Sequence, residues 1–132
     1  MGVFLSFNSQ AERRNYGGSG FIEFQFCKLP VNTMLKKIVA IRSIVNWQND
    51  SLYVYVANID IFTQYYSRIF DCGIYNNRRS GIVDIYGINY YAPSMLDRII
   101  DRLNQEKPTD YETLIGWIDR AKIYNGFYIL GI

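Results

Sequence analysis

The chain has 132 residues, 49% hydrophobic and 20% charged, with a formal charge of +2, which bounds it to one globular domain able to bury its own core. It contains no histidine, so the commonest general acid–base and the commonest metal ligand are both excluded. Cys27 and Cys72 form no C-x-x-C pair, so zinc and thioredoxin-like chemistry fall away and reduced thiols in the cytoplasm are expected.

No apolar run approaches the length of a membrane span, and residues 1–7 lack the basic flank and length of a signal peptide. Gly2 and Ser6 fit a loose M-G-x-x-x-S pattern, but residues 3–7 read equally well as a first strand. Residues 8–20 are polar and end in Gly17-Gly18-Ser19-Gly20, which predicts a loop; the Lys-Ser/Thr of a phosphate-binding loop does not follow. Residues 21–29 alternate, with Ile22, Phe24 and Phe26 on one parity and Phe21, Glu23 and Gln25 on the other. That is a strand with one apolar face, stopped by Pro30.

A helix is predicted after Asn32 and Thr33, with Leu35, Ile38, Val39, Arg42 and Val45 at helical spacing and Lys36 and Lys37 solvated. Residues 52–57 read as a strand. Asp60 caps a helix carrying Phe62, Tyr66 and Phe70, which Gly73 closes. Residues 76–81 form a basic turn. Residues 82–86 and 88–92 read as β-branched and aromatic strands, and Pro93 leads into a helix capped by Ser94 with Asp97. Thr109 and Glu112 predict a full capping box for a last helix, in which Gly116 suggests close packing. Residues 127–132 make a final apolar strand paired inside the sheet. The expected fold is α+β: a single domain with a mixed or antiparallel sheet of about five strands and about four packed helices.

Twelve tyrosines are many for this length, and tyrosine is enriched where proteins meet, although most are expected to cover the core. Charge divides along the chain. Residues 1–48 carry six basic against two acidic side chains, and residues 82–119 carry seven acidic against three basic. The acidic region favours a basic partner and disfavours nucleic acid. Paired Asp97 and Asp101, without histidine or a nucleophile elbow, do not make an enzyme. Arg78 and Arg79 near Tyr75, and Arg13 and Arg14 near Tyr16, keep open an RNA-binding alternative. A protein-binding surface is predicted from Asp84, Tyr86, Tyr90, Tyr91, Asp97 and Asp101, where rigid aromatic anchors stand among carboxylates. The like-charged neighbours Asp97/Asp101 and Arg98/Arg102 would be relieved by a partner of opposite sign.

The run Val83-Asp84-Ile85-Tyr86-Gly87-Ile88-Asn89-Tyr90-Tyr91-Ala92-Pro93 and the ending Tyr124-Asn125-Gly126-Phe127-Tyr128-Ile129-Leu130-Gly131-Ile132, together with the chain length, resemble a bacterial family. It is the immunity proteins paired with ribonuclease toxins in contact-dependent growth inhibition systems. The resemblance implies a cytoplasmic protein that neutralises the C-terminal, tRNA-cleaving type of ribonuclease domain of its cognate toxin. It implies no cofactor and no chemistry of its own. The weakly basic net charge leaves binding away from the nuclease cleft open beside blocking of the cleft.

Overall fold

A computed structural model describes residues 2–18 and 20–132. In chain order its elements are α1 (Gln10–Gly17), β1 (Phe21–Phe26), α2 (Leu35–Ile38), β2 (Leu52–Tyr55), α3 (Ile59–Tyr66), β3 (Gly73–Tyr75), β4 (Ser80–Gly81), β5 (Ile88–Tyr91), α4 (Leu96–Glu106), α5 (Tyr111–Ala121) and β6 (Phe127–Leu130). The strands form one antiparallel sheet in the order β2-β1-β6-β5-β3-β4. The fold is α+β, with six strands and five helices among the described residues, in a single domain. The final strand does run inside the sheet, between β1 and β5.

The alternation of β1 sorts the core into two layers. Ile22, Phe24 and Phe26 point, with Leu52, Val54, Tyr91, Phe127 and Ile129, toward α3, α4 and α5. There the Phe24 ring meets Phe4, Phe62 and Trp117 edge-on, and Phe26 stacks on Trp117 at 4.1 Å between centroids. Edge-to-face and offset contacts of this kind add to the burial of the rings. On the opposite face Phe21 and Tyr53 pack on Phe7, while Cys27, Tyr90 and Tyr128 pack on Ile38 and Val39. A third layer, made of α1, α2 and the strap of residues 28–50, covers this second face. Every residue of β1 is therefore buried, not one parity alone.

Several local expectations give way to tertiary contacts. Residues 3–7 make only a bridge between Leu5 and Tyr53, because Val3, Phe4 and Phe7 are taken into the two core layers. The myristoylation pattern and the glycine-rich stretch include Met1 and Ser19, which lie outside the described residues. Much of the expected loop 8–20 is α1, whose first turn is closed by the Ser9 hydroxyl accepting from the Glu12 amide at 3.1 Å. The helix expected after Thr33 shrinks to α2, followed by a 3-10 turn at Ile41–Ser43. The Ser43 hydroxyl donates to the Lys37 carbonyl at 2.6 Å, competing for an acceptor that a continuing helix would use.

Residues 82–86 form no strand. Asn89 bonds the main chain of Asp84 on both its N–H and its carbonyl, groups a ladder needs. Gly73 ends no helix; it lies in β3, where a Cβ would come within 2.8 Å of the Tyr91 ring. The predicted caps also shift. A 3-10 turn at Pro93–Met95 precedes α4, and Asp110 rather than Thr109 caps α5, accepting from the Thr113 hydroxyl at 2.7 Å and the Phe4 amide at 2.9 Å. Gly116 is exposed with open space where a side chain would be, so no neighbour packs closely there.

Candidate partner-binding surface

The sharpest surface feature grows from the turn that replaces the expected strand. Asn89 is fully buried; its Oδ1 accepts from the Asp84 N–H at 2.8 Å, and its Nδ2 donates to the carbonyls of Asp84 at 2.8 Å and Ile129 at 2.9 Å. The Asp84 carboxylate accepts from the Tyr86 N–H at 2.9 Å, as aspartates do when they close a local turn. Gly131 and Ile132 donate their amides to the Gly87 and Ile85 carbonyls, tying the turn to the chain end. The pinned turn holds Tyr86 outward with 75% of its surface exposed. Beside it lies an apolar groove of about 280 Å3, lined by Tyr86 with Ile41, Ile44, Ile88 and Leu130.

The six residues predicted for a partner surface separate into three places. Asp84 and Tyr86 share the turn and are exposed. Asp97 and Asp101 are exposed on α4, which packs on the other face of the sheet from the groove. Tyr90 and Tyr91 are buried, which corrects their assignment to the surface. The Tyr90 hydroxyl donates to the Asn125 carbonyl at 2.7 Å, and the Tyr91 ring stacks on Phe127 at 4.9 Å. Burial pushes both phenols up. The physical reason is that both sheet faces are covered at these positions: Tyr91 lies under the helices and Tyr90 under the third layer.

The charge argument changes as well. Asp71 lies 3.4 Å from Arg98 and 2.7 Å from Arg102, so the chain itself relieves that like-charged pair. Lys122 sits 3.0 Å from Asp97. Asp101 alone of the four has no ion pair among the described residues. For the RNA alternative, Arg78 and Arg79 are exposed on the β3–β4 turn, but the Tyr75 hydroxyl is tied to the Ile82 carbonyl. Arg13 is turned inward, over the rings of Trp47 at 5.4 Å and Tyr53 at 5.5 Å.

Arg13 belongs to a buried polar cluster that the sequence reading did not foresee. Glu23 is 7% exposed and accepts from the Ser51 hydroxyl at 2.7 Å and from Gln25 Nε2 at 3.0 Å, with Arg13 at 3.9 Å. Burial is the largest influence and raises its pKa, opposed by the Gln25, Ser51 and Arg13 groups. Closed under α1 and the strap, this carboxylate fastens α1 to the sheet. Polar residues on the inner parity of β1 were its only trace in the sequence. Among the described residues no cluster of three or more potential metal-ligating side chains occurs, and no helix is long and apolar enough to cross a membrane.

Neither family models, curated proteins nor solved structures match the chain.

Proposed function

We propose that this is a binding protein of the immunity type, which neutralises the tRNA-cleaving ribonuclease domain of a contact-dependent growth inhibition toxin in the cytoplasm. The observation that carries a binding role is Tyr86, three-quarters exposed on a turn whose backbone is already fixed by Asp84 and Asn89. An aromatic anchor held this way loses little conformational freedom on docking. The resemblance of residues 83–93 and 124–132 to ribonuclease immunity proteins supplies the class of partner; both stretches meet at this turn.

The same geometry favours one of two modes of inhibition. The groove is mainly apolar; Arg42 follows Ile41 on its rim, and the exposed Asp84 shares the Tyr86 turn, so neither sign of charge dominates it. Such a surface offers few carboxylates to the cations of an RNA-binding cleft and suits an apolar patch on the nuclease better. Asp97 and Asp101 do not share this contact. The inhibitor therefore acts from outside the cleft or from its rim.

Titration calorimetry at physiological salt, against the toxin domain encoded immediately upstream, tests this. Nanomolar binding with loss of ribonuclease activity is expected, with added RNA competing poorly. Tyr86→Ala is expected to weaken binding at least about tenfold. A folded toxin domain that gives no binding overturns the reading.

A further inference from the structure

The outer side of the strap between β1 and β2 combines bare aliphatic side chains with cations that lack counter-ions. From Lys28 to Asn49 the strap contains no Asp or Glu. Leu35, Ile38, Val39 and Ile44 turn inward and pack with Tyr90 and Tyr128 of the sheet. Their neighbours are left outside: Val31, Met34 and Ile41 expose 78%, 66% and 74% of their surface. Lys36, Lys37 and Arg42 are exposed among them and line one open cavity with Leu29, Ala40 and Ser43. None of these three cations has an ion pair among the described residues, whereas Lys28 is paired with Asp50 at 2.8 Å. The Ser43 hydroxyl, donating to the Lys37 carbonyl at 2.6 Å, ties α2 to the 3-10 turn and fixes this pattern in the free protein.

A lone exposed aliphatic residue needs no explanation. Three between residues 31 and 41, interleaved with unpaired cations, do. The cations call for an anionic partner, and the apolar side chains say which kind. Residues 28–46 contain no aromatic ring, so they offer no platform on which the bases of single-stranded RNA could stack. Where proteins meet, lysine is depleted and aromatic anchors are enriched, the reverse of what this strap carries. A second copy of the chain would set the same cations against each other. The boundary of an anionic bilayer accommodates both features. Aliphatic tips enter the edge of the acyl region, the stems of lysine and arginine lie along it, and their charged heads stay at the lipid phosphates.

We infer that the outer side of the strap is a docking surface for an anionic lipid bilayer, with Val31, Met34 and Ile41 at the acyl boundary and Lys36, Lys37 and Arg42 on the lipid phosphates. The inference does not rest on the toxin-binding reading, since Val31, Met34 and the three cations do not line the Tyr86 groove.

Flotation of the full chain with vesicles of phosphatidylcholine alone, or mixed with an equal part of phosphatidylglycerol, tests it. Binding to the mixed vesicles is expected, at least about tenfold tighter than to phosphatidylcholine alone and weakened by raised salt. The triple substitution Lys36→Gln, Lys37→Gln, Arg42→Gln should weaken it at least about tenfold with an unchanged melting temperature. Val31→Thr combined with Met34→Gln should weaken it severalfold while toxin binding through the Tyr86 groove stays intact. Absence of binding to the mixed vesicles overturns the inference, and so does binding that survives the triple substitution. Binding indifferent to the Val31 and Met34 changes would leave only an attractor of polyanions and overturn the lipid assignment. Single-stranded RNA or polyglutamate bound more tightly than the vesicles would replace the bilayer with a nucleic acid or an acidic protein. A dimer in solution that Met34→Gln dissociates would give the apolar side chains to a second copy, and this too overturns the inference.

Discussion

The two faces of the sheet are closed by different means. One meets α3, α4 and α5 through interlocking aromatic rings, and Phe24, Phe62, Phe70 and Phe127 are all without exposed surface. The other lies under α1, a four-residue helix and a strap, and buries Glu23, Gln25 and Ser51 among its rings. Both surface features of interest, the Tyr86 groove and the cationic cavity, border this second cover. Dense ring packing leaves little room for adjustment, whereas a cover built from short elements can carry unpaired cations and an apolar groove. The densest ring packing thus lies on one face, and the candidate recognition features lie at the other.

The largest test of that division is Phe24→Ala, which removes the ring at the centre of the helix-covered face. It should cost about 3–5 kcal/mol in urea unfolding. A loss under about 1 kcal/mol would mean that face does not dominate stability. Asn89→Ala comes next, because it strands buried main-chain groups of Asp84 and Ile129. The expected loss is on the order of 1–3 kcal/mol, read by denaturation. Toxin affinity should fall with it as the turn loosens, and intact affinity would show that the turn needs no pinning.

Glu23 probes the second face through pH. Burial makes its carboxyl take up a proton at higher pH in the folded chain than the usual 4.5. Between those two values the folded state binds more protons than the unfolded state, so stability falls as pH rises through the window. Glu23→Gln keeps the shape without the charge. Its stability relative to the parent should increase from pH 4.5 upward and then level off. Parallel stability curves would show that Glu23 does not feel its burial. Smallest in stability is Tyr86→Ala, expected within about 0.5 kcal/mol of the parent, as for an exposed position. Its effect on toxin binding should be at least about tenfold, roughly 1.4 kcal/mol or more. A large drop in melting temperature instead would move Tyr86 into the structural half of the comparison.

Legibility followed the range of the interaction. The Phe21–Phe26 alternation and the helix-period rows Leu96, Ile99, Ile100, Leu103 and Tyr111, Leu114, Ile115, Ile118 are local patterns, and those segments became β1, α4 and α5, with Ile100, Tyr111 and Ile115 only half-buried and Trp117, beside the second row, buried. The α1 start was also written locally, as Ser9 three residues before Glu12, but the polar, glycine-ended stretch around it read as loop. At the candidate site, Asp84 and Tyr86 stand out from buried Val83 and half-buried Ile85 in the order the alternation predicts, although the segment is a turn. Ile41, Ile44 and Leu130 carried no signal of sharing a groove with Tyr86, being far from it in the chain.

By itself the sequence determined the α+β class, the chemistry that lack of histidine excludes, and the segments whose period sets one apolar side. Only the tertiary structure decided that the sheet is covered twice, that Tyr90 and Tyr91 are core while Tyr86 is surface, and that Lys36, Lys37 and Arg42 face one cavity. Periodicity reports which side of an element is apolar. Whether the other side meets water or another layer depends on residues distant in the chain, and no local period encodes that.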